Sequence, residues 1–491
     1  ANGLSTPAAT SLVRVTVIDT STCSMHQALA CERIIISELP QRRALLIVGV
    51  LMAASTSAGF VGSLGIPLVP LVASEYAVTL GEAQWSATIA LLVGAIATPV
   101  LGRLSDGRDP KHLMIAALLL TTLGGCLSIP DAGFPFLILG RALQGVGMSL
   151  TPLAITTARL VLPPGHFDRA VGYLSVAAVS GAGAAFPVMT WIASSVNLHA
   201  SFAVGAGLSA LTLLAVILAI PAAAVDAAPA ARVDYLGAAL LTVSVSSILL
   251  TITQARPSPW FAAASLVASV GCGGALGLWT RRHTSPFVDL TTHLSIPLRG
   301  VNVANLLIGI GSYGGLALAS LRTQAPLSTD YGAGGTAFLA GCMIIPFAIM
   351  NVVGGRIAPA VRARVGGLRT LALGGLLTTV GVSTLGLSFR SLVVLGVIMC
   401  VVGLGAGLSF ASSPAIIGDL VEPRLIGSAL SFNMLLRYFG FAAGGALAVA
   451  VLELVSPIGS PHPDAAALLW AALACALAPA LVIPQLFRAH E

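Results

Sequence analysis

Gly102-Arg103-Leu104-Ser105-Asp106-Gly107-Arg108-Asp109-Pro110-Lys111 is a polar island between two apolar runs. Ala87 to Leu101 before it and Leu113 to Ile129 after it carry no charge. These ten residues hold three bases and two acids in a chain that is only 9% charged. So polar a stretch does not lie in hydrocarbon, and it is too short to be a domain. It therefore joins two membrane helices that run antiparallel, side by side. Asp109 is placed to cap the second helix, with Pro110 at its first position. Arg103 and Lys111 stand where phospholipid headgroups begin.

Hydrophobic residues make up 56% of the 491. A soluble domain averages nearer half apolar and about a quarter charged. The class is an all-α polytopic membrane protein. The apolar runs are continuous and not alternating, which excludes a β-barrel. Gly, 53 residues in all, is abundant within them, as expected where helices approach closely. Of the seven cysteines, five lie in apolar runs and none has metal-ligand spacing, so neither a disulfide framework nor a metal site is expected. The net charge of +6 follows from basic loops on one side of a membrane.

Runs of about 20 apolar residues mark crossings. They fall near 44–72, 82–101, 111–129, 134–160, 168–195, 199–222, 234–253, 259–279, 297–320, 334–359, 368–388, 391–416, 424–453 and 465–487, fourteen in all. The fourth, fifth, tenth and thirteenth are long and interrupted by Gly and Pro. Residues 1–43 read as a loosely ordered cytoplasmic tail, with a short surface helix near Ile34 to Ile36 and no signal-peptide core. With that tail inside, nineteen of the 24 basic residues fall on the inner side. Three (Arg256, Arg322 and Arg390) fall outside, and Arg141 and Arg437 lie within spans. This asymmetry places both termini in the cytoplasm of a plasma (inner) membrane protein.

The chain also repeats itself. Gly102-Arg103-Leu104-Ser105 returns as Gly355-Arg356-Ile357-Ala358. Gly145-Val146-Gly147-Met148-Ser149-Leu150 returns as Gly405-Ala406-Gly407-Leu408-Ser409-Phe410, and Arg169-x-x-Gly172 as Arg424-x-x-Gly427. The offsets are nearly equal. Residues 44–222 and 297–487 therefore read as two similar six-helix halves. Residues 223–296 hold a loop and two inserted helices, and 488–491 form a cytoplasmic C-terminus.

The loop that opens this section resembles the signature after the second helix of the major facilitator superfamily, roughly Gly-x-Leu-x-Asp-Arg-x-Gly-Arg-Arg/Lys. Gly102, Leu104, Asp106 and Lys111 match it, while Gly107, Asp109 and Pro110 depart. Arg141-Ala-Leu-Gln144-Gly145-Val-Gly147 resembles the family's Arg-x-x-Gln-Gly-x-Gly in the fourth span. Two six-helix halves with a two-helix insert, fourteen transmembrane helices in all, resemble the drug:proton antiporter branch. The resemblance implies a substrate cavity between the halves. It also implies a gating loop at Gly102, Asp106, Arg108 and Lys111, with coupling through Arg141 and Gln144. Ser180-Gly181-Ala182-Gly183-Ala184-Ala185-Phe186-Pro187 stands where that branch has its Gly-Pro antiporter motif. Its Gly-Pro pair is missing, but Gly181, Gly183 and Pro187 keep the character of a kinkable helix. An Asp usual in the first span of that branch is Ala58 here.

Other polar residues in spans have two open readings, ligand contact or helix–helix hydrogen bond. They are Asn302, Asn305 and Tyr313 in span nine, Asn351 in span ten, and Ser55, Thr56 and Ser63 in span one. Arg141 is either a coupling group or an arginine snorkelling to headgroups. Arg437 lies deeper, with Asn433 four residues before it, and the two read as a cavity-lining pair. No Asp or Glu occupies the middle of a span. Two buried arginines then make the interior electropositive, which favours negative or electron-rich substrates.

All eight histidines fall in tails, loops or span ends, and no phosphate-binding Gly-x-x-x-x-Gly-Lys-Ser/Thr loop exists. No enzyme activity, catalytic residue, metal or cofactor is expected, and no nucleic-acid partner. The expected function is export of small hydrophobic or amphipathic compounds by alternating access, by a monomer in the bilayer, and the resemblance implies exchange for protons. A facilitator or importer of a small organic metabolite with the same fold is the alternative.

Overall fold

The computed structural model describes residues 41–105, 109–162, 164–221, 234–254, 258–282, 296–421, 426–457 and 463–486. The tail before residue 41 lies outside them, as do Asp106, Gly107 and Arg108 of the loop. Among the described residues there are seventeen α-helices, three short 3-10 turns and no strand. In hydrocarbon a helix satisfies its own backbone, so apolar runs of this length have no cheaper conformation.

The first half comprises α1 (Gln41–Ser63), α2 (Val69–Glu75), α3 (Leu80–Ser105), α4 (Pro110–Leu127), α5 (Phe134–Gly145), α6 (Leu150–Val161), α7 (Pro164–Ser195) and α8 (Leu198–Ala219). The insert is α9 (Tyr235–Gln254) and α10 (Pro259–Arg282). The second half comprises α11 (Ile296–Gln324), α12 (Ala337–Met343), α13 (Ile345–Val365), α14 (Gly367–Thr384), α15 (Leu392–Leu420), α16 (Ile426–Val455) and α17 (Ala465–Ala480). Spans one, four and ten are broken helices, α1–α2, α5–α6 and α12–α13, which leaves fourteen spans. Eleven meet length and apolarity on their own. The others are α7, α14, and α17 with the 3-10 turn that continues it to Leu486.

Each break has a local cause. Span one stops before Gly65 and restarts through Pro67 and Pro70. Span ten restarts at Pro346. Proline fits a first helical turn, where its missing N–H has no partner to lose. In span four a 3-10 turn, Val146–Ser149, joins the pieces. There Gly145 presses on α3, and a Cβ on it would lie 2.4 Å from the Ala90 carbonyl oxygen. Span five, marked by Gly and Pro, and span thirteen, marked by Gly, are single helices, and α7 runs unbroken through Pro187.

Asp109 caps α4 as the sequence suggested, accepting from the Lys111 amide at 2.9 Å. The Lys111 ammonium donates to the Ile217 carbonyl at 3.2 Å, near the C-terminal end of α8, where the helix dipole favours a cation. One placement is corrected. The sequence reading ends span nine at 320 and leaves Arg322 in an outer loop. Instead α11 continues to Gln324, and Arg322 in its last turn is 2% exposed. Its Nη1 donates to the Leu385 carbonyl at 2.6 Å and its Nη2 to the Phe389 carbonyl, with the guanidinium 3.6 Å above the Phe389 ring. Carbonyls left over at the turn between α14 and α15 make burial of this charge tolerable.

The halves meet along two seams, α3 against α16 and α7 against α12 and α13. The insert lies to one side. One face of α9 packs on α3 and α16, where Ala238 and Leu241 cluster with Ala95 and Leu435. α10 is tied to α9 by reciprocal bonds between Ser244 and Ser269, both 2.9 Å, and leaves Trp260, Val267 and Val270 exposed.

Candidate functional site

Two arginines within spans, Arg141 and Arg437, lie at the two ends of a connected set of aromatic rings. Arg141 on α5 is 1% exposed. Its Nε donates to the Ser86 carbonyl on α3 at 2.9 Å, Nη1 to Gln144 Oε1 at 2.6 Å, and Nη2 to the Val61 carbonyl on α1 at 3.2 Å. Arg141 therefore does not snorkel outward. It points into the bundle and binds three spans together, with Gln144 one turn away on the same face. Tyr313, on α11 in the other half, lies within electrostatic reach of it.

Tyr313 continues the line. Its ring stacks on Phe441 of α16, with centroids 4.7 Å apart and planes at 17°. Phe441 meets Phe410 of α15 edge-on at 5.6 Å and Tyr438 at 6.1 Å. Arg437 closes the set, its guanidinium 5.2 Å from the Phe410 centroid and 5.6 Å from that of Tyr438. Its Nε is buried and has no hydrogen-bond partner. Phe410, Arg437, Tyr438 and Phe441 are each only partly covered. The two ring faces offset part of the cost of a guanidinium with no anion beside it. Sequence reasoning found both arginines and Tyr313 but missed Phe410, Tyr438 and Phe441. Phe441 one turn beyond Arg437 was the available signal.

Asn433 does not pair with Arg437 but joins Asn302 and Asn305, whose bonds are between helices. Asn433 donates to Asn302 Oδ1 at 2.9 Å, Asn305 donates to Asn433 Oδ1, and Ser413 donates to Asn305 Oδ1 at 3.0 Å. This buried chain ties α11, α15 and α16 together. It spends the amides on helix packing and leaves Asn302 Nδ2 unpartnered. Asn433 and Arg437, though one turn apart, have no partner in common. Asn351 is half-buried on α13, its backbone against Gly407 of α15.

The seams hold the remaining candidates. A Cβ on Gly181 would lie 2.8 Å from Thr56 Cγ2 of α1, and one on Gly183 would lie 2.8 Å from Ala348 Cβ of α13. One turn on, a Cβ on Gly341 of α12 would meet Thr190 Oγ1 at 2.2 Å and the Pro187 backbone at 3.1 Å. Gly183 on α7 and Gly341 on α12 thus let the two halves approach closely, while Gly181 packs within the first half. At the Gly81 end of the bundle the halves are also bonded. The Gly81 amide donates to Glu453 Oε1 at 2.7 Å, and Gln324 Nε2 donates to the Pro67 carbonyl at 3.1 Å. At the other end a Cβ on Gly102 would find only Ser431 Oγ, at 3.8 Å. Asp106 and Arg108 lie outside the described residues. Among the described residues no His, Cys, Asp and Glu group could hold a metal ion.

A bundle of fourteen spans in two six-helix halves, one of which carries a ring-lined arginine, is the build of a membrane transporter. The chain belongs to the Major Facilitator Superfamily, whose family model matches residues 51–445. It is 26% identical over 319 residues to the uncharacterized MFS-type transporter YhcA of Bacillus subtilis, covering 64% of this chain and 58% of that protein. The chain thus spans about three fifths of the length of that relative. It is 25% identical to the tetracenomycin C resistance and export protein of Streptomyces glaucescens, covering 80% of this chain and 73% of that one. With the lincomycin resistance protein LmrB of Listeria monocytogenes the identity is 22%, covering 82% and 86%. Among solved structures, the peptide transporter POT in complex with sulfate superposes with a TM-score of 0.66 at 16% identity, covering 93% of this chain and 98% of that one. The nucleoside transporter NupG gives 0.61 at 15%, covering 91% and 100%. At such identities the structures speak for the fold alone.

Proposed function

We propose that this chain exports small hydrophobic or amphipathic compounds by alternating access, in exchange for protons. The observation that carries the reading is the pairing of bonds between the halves at the Gly81 end with a ring-lined arginine site in the second half, whose Tyr313 lies within electrostatic reach of Arg141 in the first. In this reading residues 44–222 and 297–487 rock against one another about the α3–α16 and α7–α12 seams, with residues 223–296 outside the moving core. Both termini and the Gly102 end face the cytoplasm of the plasma membrane. The relatives named for resistance and export support the outward direction.

Protons need a group that titrates at the seam. The spans offer no central carboxylate, and Glu453 is the boundary carboxylate that bonds the opposite half. Its carboxylate sits on the N-terminal turn of α3, where the helix dipole favours a negative charge. A proton on Glu453 weakens that contact and favours opening at the Gly81 end. Arg141, which binds three spans around the site, relays the change to the rings through Tyr313. The facilitator or importer alternative is favoured by one feature, the absence of acids at the site itself. Dye flux into everted membrane vesicles, with and without an imposed proton gradient, separates the two readings. An exporter loads the vesicles only under the gradient, whereas a facilitator equilibrates the dye without it.

A further inference from the structure

We infer that the ring-lined site takes planar aromatic anions, held by the Arg437 guanidinium against the faces of Phe410 and Phe441. The inference rests on the transport reading and adds the class of compound carried. It starts from an incomplete arginine. Arg141 and Arg322 each place guanidinium nitrogens on carbonyl oxygens. Arg437 has two aromatic faces instead, at 5.2 Å and 5.6 Å, and a buried Nε with no acceptor. A ring face stabilises a cation through its quadrupole but accepts no ordinary hydrogen bond, so the guanidinium fork remains available. A carboxylate or phenolate oxygen is the partner that geometry suits, because a planar fork binds such an anion through two parallel bonds.

The rings set the rest of the ligand. Tyr313 and Phe441 are already stacked, which fixes the plane of Phe441. Phe410 stands edge-on to Phe441 at 74°, so the two make a corner with Arg437 at its rim. Phe410 and Phe441 are only partly covered, so ring surface is left for a flat guest. A planar ligand stacks on one wall of this corner and turns its acid toward Arg437. A planar cation gains the same stacking but meets Arg437 with no acid beside it.

The test is fluorescence anisotropy of the purified full chain in detergent, with fluorescein as the planar aromatic anion. Ethidium is the planar cation, and decanoate is a flexible anion used as competitor. The site predicts that fluorescein binds and that decanoate competes weakly. Arg437→Gln should weaken fluorescein by about tenfold or more, the loss of one charged, bidentate contact. Arg437→Lys should recover part of the loss, and Phe410→Leu, which keeps an apolar side chain, should weaken fluorescein and leave decanoate unchanged. Ethidium binding as tight as fluorescein, or fluorescein binding indifferent to both Arg437→Gln and Phe410→Leu, overturns the inference. If ethidium, and not fluorescein, is carried into everted vesicles, the export reading stands and this inference fails. If fluorescein binds through Arg437 and never moves, the site stands and the export reading fails.

Discussion

The Glu453 carboxylate on α16 accepts the Gly81 amide at the start of α3, 2.7 Å across the seam between the halves. The two residues are 372 positions apart in the chain, and the bond joins the two halves at one end of the bundle. A charge on an exposed helix N-terminus contributes about 0.3–1 kcal/mol, and up to about 2 when partly buried. Glu453→Gln keeps an acceptor in place and removes that charge. The closed-to-open ratio should fall by about fivefold, the equivalent of about 1 kcal/mol. A cysteine at the buried seam residue Gln84 reports it. Maleimide should react several-fold faster in the Glu453→Gln background, and an unchanged rate would remove Glu453 from the gate.

Arg141 holds Ser86, Val61 and Gln144 with one side chain. Arg141→Ala orphans Gln144 Oε1 and loses bonds to two other spans, a loss of about 3 kcal/mol at the scale of buried charged hydrogen bonds. Thermal stability should drop. Gradient-driven flux should drop further than substrate exchange, because exchange needs the site but not the coupling. Equal loss in both assays would reduce Arg141 to a packing residue.

Gly341 faces Thr190 so closely that a Cβ would lie 2.2 Å from its hydroxyl oxygen and 2.9 Å from the Phe186 carbonyl. Gly341→Ala therefore pushes α12 off α7, and overpacking of this kind costs about 1–3 kcal/mol. The Gly81 end should close less fully and flux should fall by about tenfold, with dye binding retained. Flux like that of the parent would show that this seam is not part of the gate.

The spans were legible because each crossing needs an uninterrupted apolar run, and the charged loops between them obey one asymmetry. The seam and the site were less so. Leu321-Arg322-Thr323-Gln324 reads as loop on polarity, yet the helix continues because the carbonyls of Leu385 and Phe389 take up the arginine. Glu453 was visible only as one boundary acid among several, since its partner is a backbone amide and no side chain marks it. Asn433 and Arg437 share a helical stripe, but Asn433 is spent on Asn302 and Asn305, and Arg437 turns to the rings. Helical spacing gives a face and leaves open which neighbour fills it.

Tyr331, in the turn between α11 and α12, donates to the Pro463 carbonyl at 2.8 Å and ties that turn to the start of α17. Burial, with the Asp464 charge adding to it, pushes its hydroxyl up to about 12. A raised value means the neutral form is favoured by folding. Its contribution is complete below the ordinary value of 10.0 and is lost as the pH climbs through about 12. Tyr331→Phe should cost about 1 kcal/mol at neutral pH, the worth of one hydrogen bond. The margin between parent and variant in thermal unfolding should narrow only in strong alkali. A margin that shrinks already near neutrality would contradict this.

The proposed cycle is outward, proton-driven transport through the Arg437 site. Everted vesicles carrying the full chain, acidified inside, test it most directly when loaded with fluorescein from outside. Uptake should collapse when a protonophore is added and fall by about tenfold in Arg437→Gln. Uptake that is indifferent to the protonophore, or equal in the Arg437→Gln variant, would contradict it.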